Sequence, residues 1–330
     1  MIHNINLSIY NMKKVLVTGG SGFIGSAICK MLTKKGISVT SFDNNFRQNI
    51  KKKKLSIKYI KGDITKLEDL RKIRKNFDCI FHLAFINGTK FFYEIPDKVI
   101  DVGIRGALNI LQYAKENGIK ELYLASSSEV YQTPNKIPTD EKEIMKVPDA
   151  YNPRYSYGSS KMMSEIMSIH FGRNFLKKLI IFRPHNVYGP NMGNEHVIPN
   201  FINNIKLNLV KKKKYIYIQG AGTETRTFNY IDDFINGIEI LMKKKVKSGT
   251  YNIGDKNEIS IKNILILIMK IMNVNFKIKS KKITKGSTLR RRPCLKKIMK
   301  YGYKPKIQLK EGLEKTIDWY LNNFNTPAIK

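Results

Sequence analysis

Short apolar runs alternate with longer amphipathic stretches through the first half of the chain. Apolar, often β-branched positions predict six strands, at 13–18, 38–42, 56–61, 78–83, 121–125 and 178–182. Apolar positions spaced three and four residues apart predict helices at 26–35, 65–75, 96–117 and 155–176, the second beginning after Thr65 as N-cap. This alternation of strands and helices is typical of α/β proteins with a parallel, doubly wound sheet.

The pattern becomes less regular after residue 184. Three further helices are predicted, at 232–244, 260–272 and 311–323, and the segments between them are short. We therefore expect a smaller C-terminal lobe beside the sheet.

A glycine-rich turn joins the first strand to the first helix. It reads Gly19-Gly20-Ser21-Gly22-Phe23-Ile24-Gly25, and the second strand ends at Asp43. Gly19 allows the tight turn, Gly22 lets a pyrophosphate approach the backbone, and Gly25 lets the helix pack closely against the sheet. The N–H groups at the helix start then face the phosphates. Asp43 is placed to accept both ribose hydroxyls of NAD and to repel the 2′-phosphate of NADP, so NAD is favoured over NADP. The order strand, glycine turn, helix, strand and acid also favours a bound dinucleotide over a glycine-rich turn without a ligand.

A second pattern supplies catalytic chemistry. Tyr157 and Lys161 are four residues apart at the start of a predicted helix, so their side chains share one face. The ammonium group of Lys161 can lower the tyrosine pKa from about 10 towards neutrality and bind the nicotinamide ribose. A tyrosinate can then accept a hydroxyl proton while hydride leaves the same carbon for NAD.

These two motifs, in this order, resemble the extended short-chain dehydrogenase/reductase family of nucleotide-sugar epimerases and dehydratases, over residues 13 to about 320. The resemblance implies a Rossmann-type NAD-binding domain at 13–184, to which segments near 228–257 return. An N-terminal arm at 1–12 would precede it, and residues 185–330 would mainly form a substrate-binding lobe. It also implies a homodimer built on the helices at 96–117 and 155–176.

The resemblance extends the set of expected cofactor contacts. Asp63 would meet the adenine amino group, and His82-Leu83-Ala84 resembles an H-L-A-A segment whose backbone lines the cofactor, whereas His82 itself is expected to pack at the strand end. The remaining expected contacts are Phe23, Ile24, Ile64 and Pro184. The chain departs from the family pattern twice, with Phe85 in place of the second alanine and Gly103 in place of a helix asparagine.

Substrate contacts are implied in the same way. Ser127 lies where the family places the group that hydrogen-bonds the reacting hydroxyl, and Ser128-Glu129-Val130-Tyr131 resembles UDP-glucuronate decarboxylases and GDP-mannose 4,6-dehydratases. Glu129 would act as acid or base near C5 and C6, or would only cap a turn. Asn186 would bind the sugar or diphosphate.

Two arginines complete the expected substrate site. Arg226 would clamp the diphosphate, and Arg291 would meet the diphosphate or a sugar carboxylate, surface arginines being the alternative. We expect a nucleoside-diphosphate sugar to pass through a 4-keto form, with dehydration or decarboxylation favoured over simple 4-epimerisation. A non-catalytic NAD- or RNA-binding relative is the remaining alternative.

Composition bears on partners and compartment. The 60 Lys and Arg against 26 Asp and Glu give a net charge of +34. The runs 51–54, 211–214 and 243–245 lack interleaved aromatics, which favours solvated lysines over a nucleic-acid surface. Three scattered cysteines indicate a reducing cytoplasm and no metal site, and no apolar run reaches membrane-spanning length.

Overall fold

The computed structural model describes residues 12–46, 56–73, 76–282, 286 and 288–323. The expected N-terminal arm lies outside these residues except for Met12, which is buried, its Sδ 3.7 Å from the Sγ of Cys79.

The described residues form fourteen strands, ten helices and two short 3-10 helices. The strands are β1 (Lys14–Thr18), β2 (Ser38–Asp43), β3 (Ile57–Lys61), β4 (Cys79–His82), β5 (Glu121–Ala125), β6 (Lys178–Pro184), β7 (Val187–Tyr188), β8 (Tyr215–Gln219), β9 (Thr225–Thr227), β10 (Asn229–Tyr230), β11 (Gly249–Ile253), β12 (Glu258–Ser260), β13 (Lys277–Lys281) and β14 (Arg290–Arg291). The helices are α1 (Phe23–Lys34), α2 (Leu67–Arg71), α3 (Thr89–Glu94), α4 (Pro96–Glu116), α5 (Ser156–Gly172), α6 (Val197–Val210), α7 (Ile231–Met242), α8 (Ile261–Ile271), α9 (Lys296–Met299) and α10 (Leu309–Asn323). The 3-10 helices span Ser128–Tyr131 and Pro153–Tyr155.

Seven strands form one parallel sheet in the order β11-β6-β5-β4-β1-β2-β3. The chain runs outwards from β1 to β2 and β3, then crosses to β4 and continues in the other direction. The direction of winding therefore reverses between β1 and β4, which confirms the Rossmann-type α/β fold.

Both faces of this sheet are buried. On β1, Val15 and Val17 pack into one apolar core with residues of α1 and α7, and Leu16 packs into a second core beneath α4. Burial on both faces explains why β1, β4 and β5 are nearly continuous apolar runs, whereas the edge strand β3 contains lysines and is partly exposed.

The C-terminal part contributes smaller sheets and one strand of the main sheet. β8 pairs with β13, β9 lies between β12 and β14, and β7 pairs with β10. β11 returns to the main sheet, where it pairs in parallel with β6.

Some helix boundaries differ from the predicted ones. The expected N-cap at Thr65 is wrong: Lys66 precedes α2, and Thr65 instead donates through its N and Oγ1 to Asp63 Oδ1. α1 begins at Phe23, three residues before the predicted start. α3 and α6 were not predicted, α3 because its six residues are too few to show a helical period. In α6, Pro199 resembles a helix breaker but lies in the first turn, where no N–H bond is lost.

Candidate active site

A cavity of about 300 Å³ follows the carboxyl ends of the parallel strands. Its wall includes residues that directly follow or end β1 to β6, as expected where the winding of an α/β sheet reverses. The sequence-predicted residues that line it are Gly19, Gly22, Phe23, Ile24, Gly25, Asp43, Asp63, Ile64, Leu83, Ala84, Ser127, Ser128, Glu129, Tyr157, Lys161, Pro184, Asn186 and Arg291. Of the predicted site residues, Arg226 is absent from this wall.

The glycine turn has the geometry of a dinucleotide cradle. Gly19 has a φ of +73°, and a Cβ there would lie 2.6 Å from the backbone N of Ala84. The N–H of Gly22 donates to Gly19 O at 3.1 Å, so the turn folds back tightly before α1. No side chain could occupy the space at Gly19, and the bare turn leaves the start of α1 open to a phosphate group.

Two carboxylates line the cavity, Asp43 at the end of β2 and Asp63 shortly after β3. Asp43 accepts from the N–H of Ser21 at 2.9 Å and from that of Asn45 at 2.8 Å, one bond on each oxygen. Each oxygen keeps a lone pair for a ribose hydroxyl. Asp63 is held by its two bonds from Thr65. The Nδ2 of Asn109 in α4 donates to Ile64 O at 2.8 Å. This bond ties the backbone next to Asp63 to the helix.

Tyr157 and Lys161 lie at the other end of the cavity, on the first turns of α5. Both are buried, and Lys161 Nζ donates to the backbone oxygen of Ala125 at the end of β5. Burial lowers the pKa of the Lys161 ammonium well below its usual value, and the charge of Glu165 opposes this shift. The Lys161 Nζ lies 5.8 Å from the centre of the Tyr157 ring, so the cation is close enough to stabilise a tyrosinate.

Glu129 and Arg291 form an ion pair on the cavity wall. Arg291 Nη1 donates to Glu129 Oε1 at 2.6 Å, and its Nη2 donates to Thr288 Oγ1 at 3.0 Å. Burial would raise the pKa of the Glu129 carboxyl, but Arg291, helped by Arg154 and Arg226, lowers it from 4.5 to about 2. Glu129 is therefore ionised at neutral pH and holds a buried arginine at the cavity wall.

Ser127 begins the 3-10 helix that carries Glu129. Its Oγ accepts from the N–H of Glu129 at 3.1 Å, so the serine, rather than Glu129, caps this turn. Ser127 and Glu129 thus take fixed positions relative to one another at the end of β5.

Similarity to known proteins agrees with this geometry. Residues 15–254 match the NAD dependent epimerase/dehydratase family. The chain is 30% identical to UDP-glucuronic acid decarboxylase 1 of Xenopus tropicalis, covering 95% of this chain and 73% of that protein. It is also 30% identical to UDP-glucuronate 4-epimerase of Thermodesulfobacterium geofontis, covering 93% of this chain and 96% of the relative. This chain belongs to the NAD-dependent epimerase/dehydratase family.

A solved structure of the family shows the same architecture over most of the chain. The UDP-glucose 4-epimerase of Thermotoga maritima, solved with UDP-glucose, superposes with a TM-score of 0.83 at 26% identity. The match covers 93% of this chain and 98% of that one. The chain is accordingly an NAD-dependent enzyme of nucleotide-sugar chemistry, and the glycine cradle and Asp43 fit that cofactor.

Two predicted substrate residues have partners within the protein. Arg226 donates to the backbone oxygens of Thr225, Leu289 and Thr288 at 2.7, 3.4 and 2.6 Å, and burial together with the charge of Arg291 lowers its pKa to about 10. Asn186 has a φ of +43° and donates to Thr227 O at 2.8 Å while lining the cavity.

A buried polar network supports α5 of this epimerase/dehydratase. Arg183 of β6 donates to Glu165 of α5 through Nε at 2.8 Å and Nη2 at 2.6 Å, and Nη1 reaches Tyr131 Oη at 2.7 Å. Ser126 Oγ donates to the same Glu165, and Tyr131 donates to Asn252 of β11 at 2.9 Å. The network ties α5 to three parallel strands and fixes the helix that carries Tyr157.

His82 lies beside this region but outside the cavity wall. It is buried, and its Nδ1 lies 2.8 Å from Thr18 Oγ1. Burial, with a smaller effect of the Lys161 charge, lowers the pKa of His82 to about 3, so the ring is neutral and packs at the end of β4.

Sequence reasoning missed an aromatic group around Tyr157. The Phe92 ring of α3 stacks on Tyr157 with centroids 4.9 Å apart, and the Phe85 ring meets Tyr157 edge-on at 5.7 Å. Phe85 and Gly103 had been noted only as separate departures from the family pattern. A large residue at position 85 together with a glycine at position 103 was the signal in the sequence for this contact, because both residues lie against α5.

Two tyrosines follow the lysine run at 211–214 in sequence, and lysines of another strand cover them. The 211–214 run leads directly into β8, whose pairing with β13 places Lys279 over the Tyr215 ring at 4.3 Å and Lys281 over Tyr217 at 4.5 Å. The tyrosines adjoin the run in sequence, whereas the two lysines that cover them come from a distant segment and become neighbours through strand pairing. Each ring face is covered by a lysine of the same chain.

Two features are absent from the residues that the structure describes. None of the helices there is both long and apolar enough to cross a membrane. The same part of the chain holds no cluster of three or more His, Cys, Asp or Glu side chains suited to a metal ion.

Proposed function

We propose that this enzyme acts on a nucleoside-diphosphate hexuronate, oxidises it at C4 and favours loss of the sugar carboxylate. One observation carries the proposal: a buried arginine, Arg291, lines the cavity and is held there by Glu129. A guanidinium in this position is suited to bind a carboxylate with paired hydrogen bonds. The two relatives named above are a UDP-glucuronic acid decarboxylase and a UDP-glucuronate 4-epimerase, and both names include a uronic acid.

The C4 chemistry is assigned to three residues. Tyr157 accepts the proton of the C4 hydroxyl, Lys161 stabilises the tyrosinate and the bound cofactor, and Ser127 holds the hydroxyl by a hydrogen bond. NAD, held by the glycine turn, Asp43 and Asp63, supplies the hydride acceptor and later the hydride donor.

Decarboxylation follows directly from the 4-keto form. The oxidised sugar is a β-keto acid, so the bond between C5 and C6 breaks and CO₂ leaves without a base. The electron pair passes to the C4 oxygen as an enolate, which Tyr157, now protonated, is placed to stabilise. A proton then returns to C5, and the C4 ketone is reduced.

The ionisation of Glu129 supports decarboxylation over dehydration. Dehydration expels a hydroxyl, which needs an acid to protonate it. With its pKa lowered to about 2 by Arg291, Glu129 is a poor proton donor at neutral pH. We therefore assign Glu129 to orienting Arg291 and the sugar, with acid or base catalysis at C5 as the alternative.

Arg226 and Asn186 are proposed to bind the diphosphate. The charges of Arg291, Glu129, Arg154 and Glu224 all act on the pKa of Arg226. Three guanidiniums therefore lie near two carboxylates. This excess positive charge favours a dianion. Binding through Arg226 would require exchange of some of its bonds to backbone oxygens.

We further propose that the enzyme is a cytoplasmic homodimer. The apolar side chains Ile100 and Leu108 of α4 and Met163, Ile169 and Phe171 of α5 are exposed in the single chain. These are the two helices that the family resemblance assigns to the dimer, and a second copy would cover the exposed side chains. Cys29 and Cys79 are buried free thiols, which suits a reducing compartment.

The test is a panel of UDP-, GDP-, CDP- and dTDP-sugars in which each hexuronate is paired with its hexose. We expect turnover of a hexuronate to a pentose product lighter by one CO₂, measured by mass spectrometry and NMR. A C4 epimer of unchanged mass would instead identify a 4-epimerase, which the Thermodesulfobacterium relative makes the second candidate. Turnover of hexoses with no turnover of hexuronates would refute the role of Arg291.

A further inference from the structure

The environment of Lys161 contains an unusual contact. Its Nζ lies 3.3 Å from the centroid of the Phe85 ring, directly over the face. An ammonium over an aromatic face is attracted by the negative charge density of the ring, and the attraction is strongest when both groups are shielded from water. Lys161 meets the second condition, because only 2% of it is exposed.

The other charged groups near Lys161 have partners of their own or are neutral. On α5, the carboxylate of Glu165 is engaged by the guanidinium of Arg183 from β6. From β4, the neutral His82 faces the same region. Tyr157, one helical turn away, gains a charge only when it ionises. The ammonium donates to the backbone oxygen of Ala125 and lies over the Phe85 ring at 3.3 Å, nearer than its 5.8 Å to the Tyr157 ring.

Gly103 of α4 makes room for this ring. A Cβ at position 103 would lie 2.8 Å from Phe85 Cε1 and 2.6 Å from Ser160 Cβ. Real Cβ atoms do not come so close, so even alanine would push the ring or separate α4 from α5. Phe85 and Gly103 are therefore complementary: a large side chain follows β4, and the facing position on α4 has no side chain.

We propose that Phe85 is a positioning residue for Lys161, holding the ammonium protonated and directed towards Tyr157 through the face of its ring, and that Gly103 is the complementary position that admits the ring. The proposal deepens the function given above and rests on it only where turnover is measured. Since the ring replaces solvent as the stabilising environment of the cation, its loss should favour the neutral amine. A neutral Lys161 would in turn make the tyrosinate harder to form.

Phe92 provides a matched control. Its ring also contacts Tyr157, stacked at 4.9 Å with an interplanar angle of 13°, whereas the ring within contact of Lys161 Nζ is that of Phe85. Phe85→Leu and Phe92→Leu therefore remove the same chemical group from the same tyrosine. Only the first removes the ring beneath the ammonium.

The primary test needs no substrate. In apo protein labelled with ¹³C at the lysine ε position, the Lys161 methylene protons should resonate upfield of the other lysines because of the ring current of Phe85. The signal is assigned by its disappearance in Lys161→Met. We expect Phe85→Leu to abolish the upfield displacement and to lower the pKa of Lys161 by about half to one and a half units. In Phe92→Leu and in the conservative Phe85→Tyr, the upfield displacement and the pKa of Lys161 should stay near the parent values.

Activity supplies a second readout. In Phe85→Leu the acid limb of the pH profile of kcat/KM should move to higher pH, because a less stabilised ammonium raises the tyrosine pKa. The alkaline limb should move to lower pH, which narrows the profile.

Two results would overturn the proposal. One is an unchanged Lys161 resonance and pKa in Phe85→Leu; the other is an equal change in Phe92→Leu, which would indicate general packing. If Phe85→Leu does not fold, Gly103→Ala displaces the ring from the opposite side and should reduce the same upfield displacement; a parent-like signal in that variant would also refute it. The Lys161 resonance is measured without substrate. The test therefore stays valid even if the enzyme does not catalyse the proposed decarboxylation.

Discussion

Replacing Glu129 by Gln should destabilise the protein in a pH-dependent way. The change removes one negative charge and leaves Arg291, whose side chain is only 3% exposed, without its charged partner. A folded-state pKa near 2 against an ordinary value of 4.5 corresponds to about 3 kcal/mol of stabilisation at neutral pH. Breaking a buried ion pair by removing one partner costs about 3–5 kcal/mol, which agrees with that figure.

The direction of the pH dependence follows from the lowered pKa. A carboxyl that is more acidic in the folded protein contributes its full stabilisation above its unfolded pKa and loses it as the pH falls towards the folded one. The difference between parent and Glu129→Gln should therefore be constant from pH 7 to about 5 and fall to about half by pH 3.

The assay is urea unfolding of both proteins across this pH range, followed by circular dichroism. Glu116→Gln is the control, because Glu116 also accepts two hydrogen bonds from an arginine, at 2.6 and 3.1 Å, but Arg71 is 53% exposed. That exposed pair should contribute little to stability, because solvent screens its charges. Equal losses in the two variants, or a loss in Glu129→Gln that does not change with pH, would show that the reasoning about the buried pair is wrong.

Three further outcomes are expected. Tyr157→Phe should lower turnover by a factor on the order of 10² or more while NAD still binds, measured by product formation and cofactor titration; near-parent turnover would remove Tyr157 from the mechanism. The protein should bind NAD far more tightly than NADP because Asp43 would repel a 2′-phosphate, and equal affinities in a calorimetric titration would contradict that role. Ile169→Glu on α5 should convert a dimer to monomers by light scattering, whereas Ile144→Glu, at a more exposed loop position, should not; an unchanged mass in the first variant would place the dimer contact elsewhere.

Much of the fold followed from local sequence patterns. The apolar strands β1 to β6 and the helices α4 and α5 lie close to their predicted positions, because burial on both faces and a regular helical period leave strong signals. The Rossmann-type sheet was confirmed by the pairing of those strands. The division into a cofactor domain and a substrate lobe remains a prediction.

Part of the site could also be predicted from the sequence. The motif residues are fixed by local chemistry, and they converge because strands of a parallel sheet end at one edge. Partnerships between distant segments were not readable. Two examples are the ion pair of Glu129 with Arg291 and the contact of Phe85 with Lys161. Both depend on tertiary packing, which produces no pattern of residue spacing in the sequence.

The return of β11 to the main sheet has a consequence for how the protein can be divided. Residues 185–248 separate it from β6, the strand whose edge it covers. A fragment ending at Pro184 would expose that edge, a template for pairing with other chains. It would also lose Phe234 of α7, which packs edge-on against Phe182 at 6.1 Å between centroids. The chain up to Pro184 therefore lacks one strand of its own sheet: synthesis must continue to Ile253 before the sheet is complete.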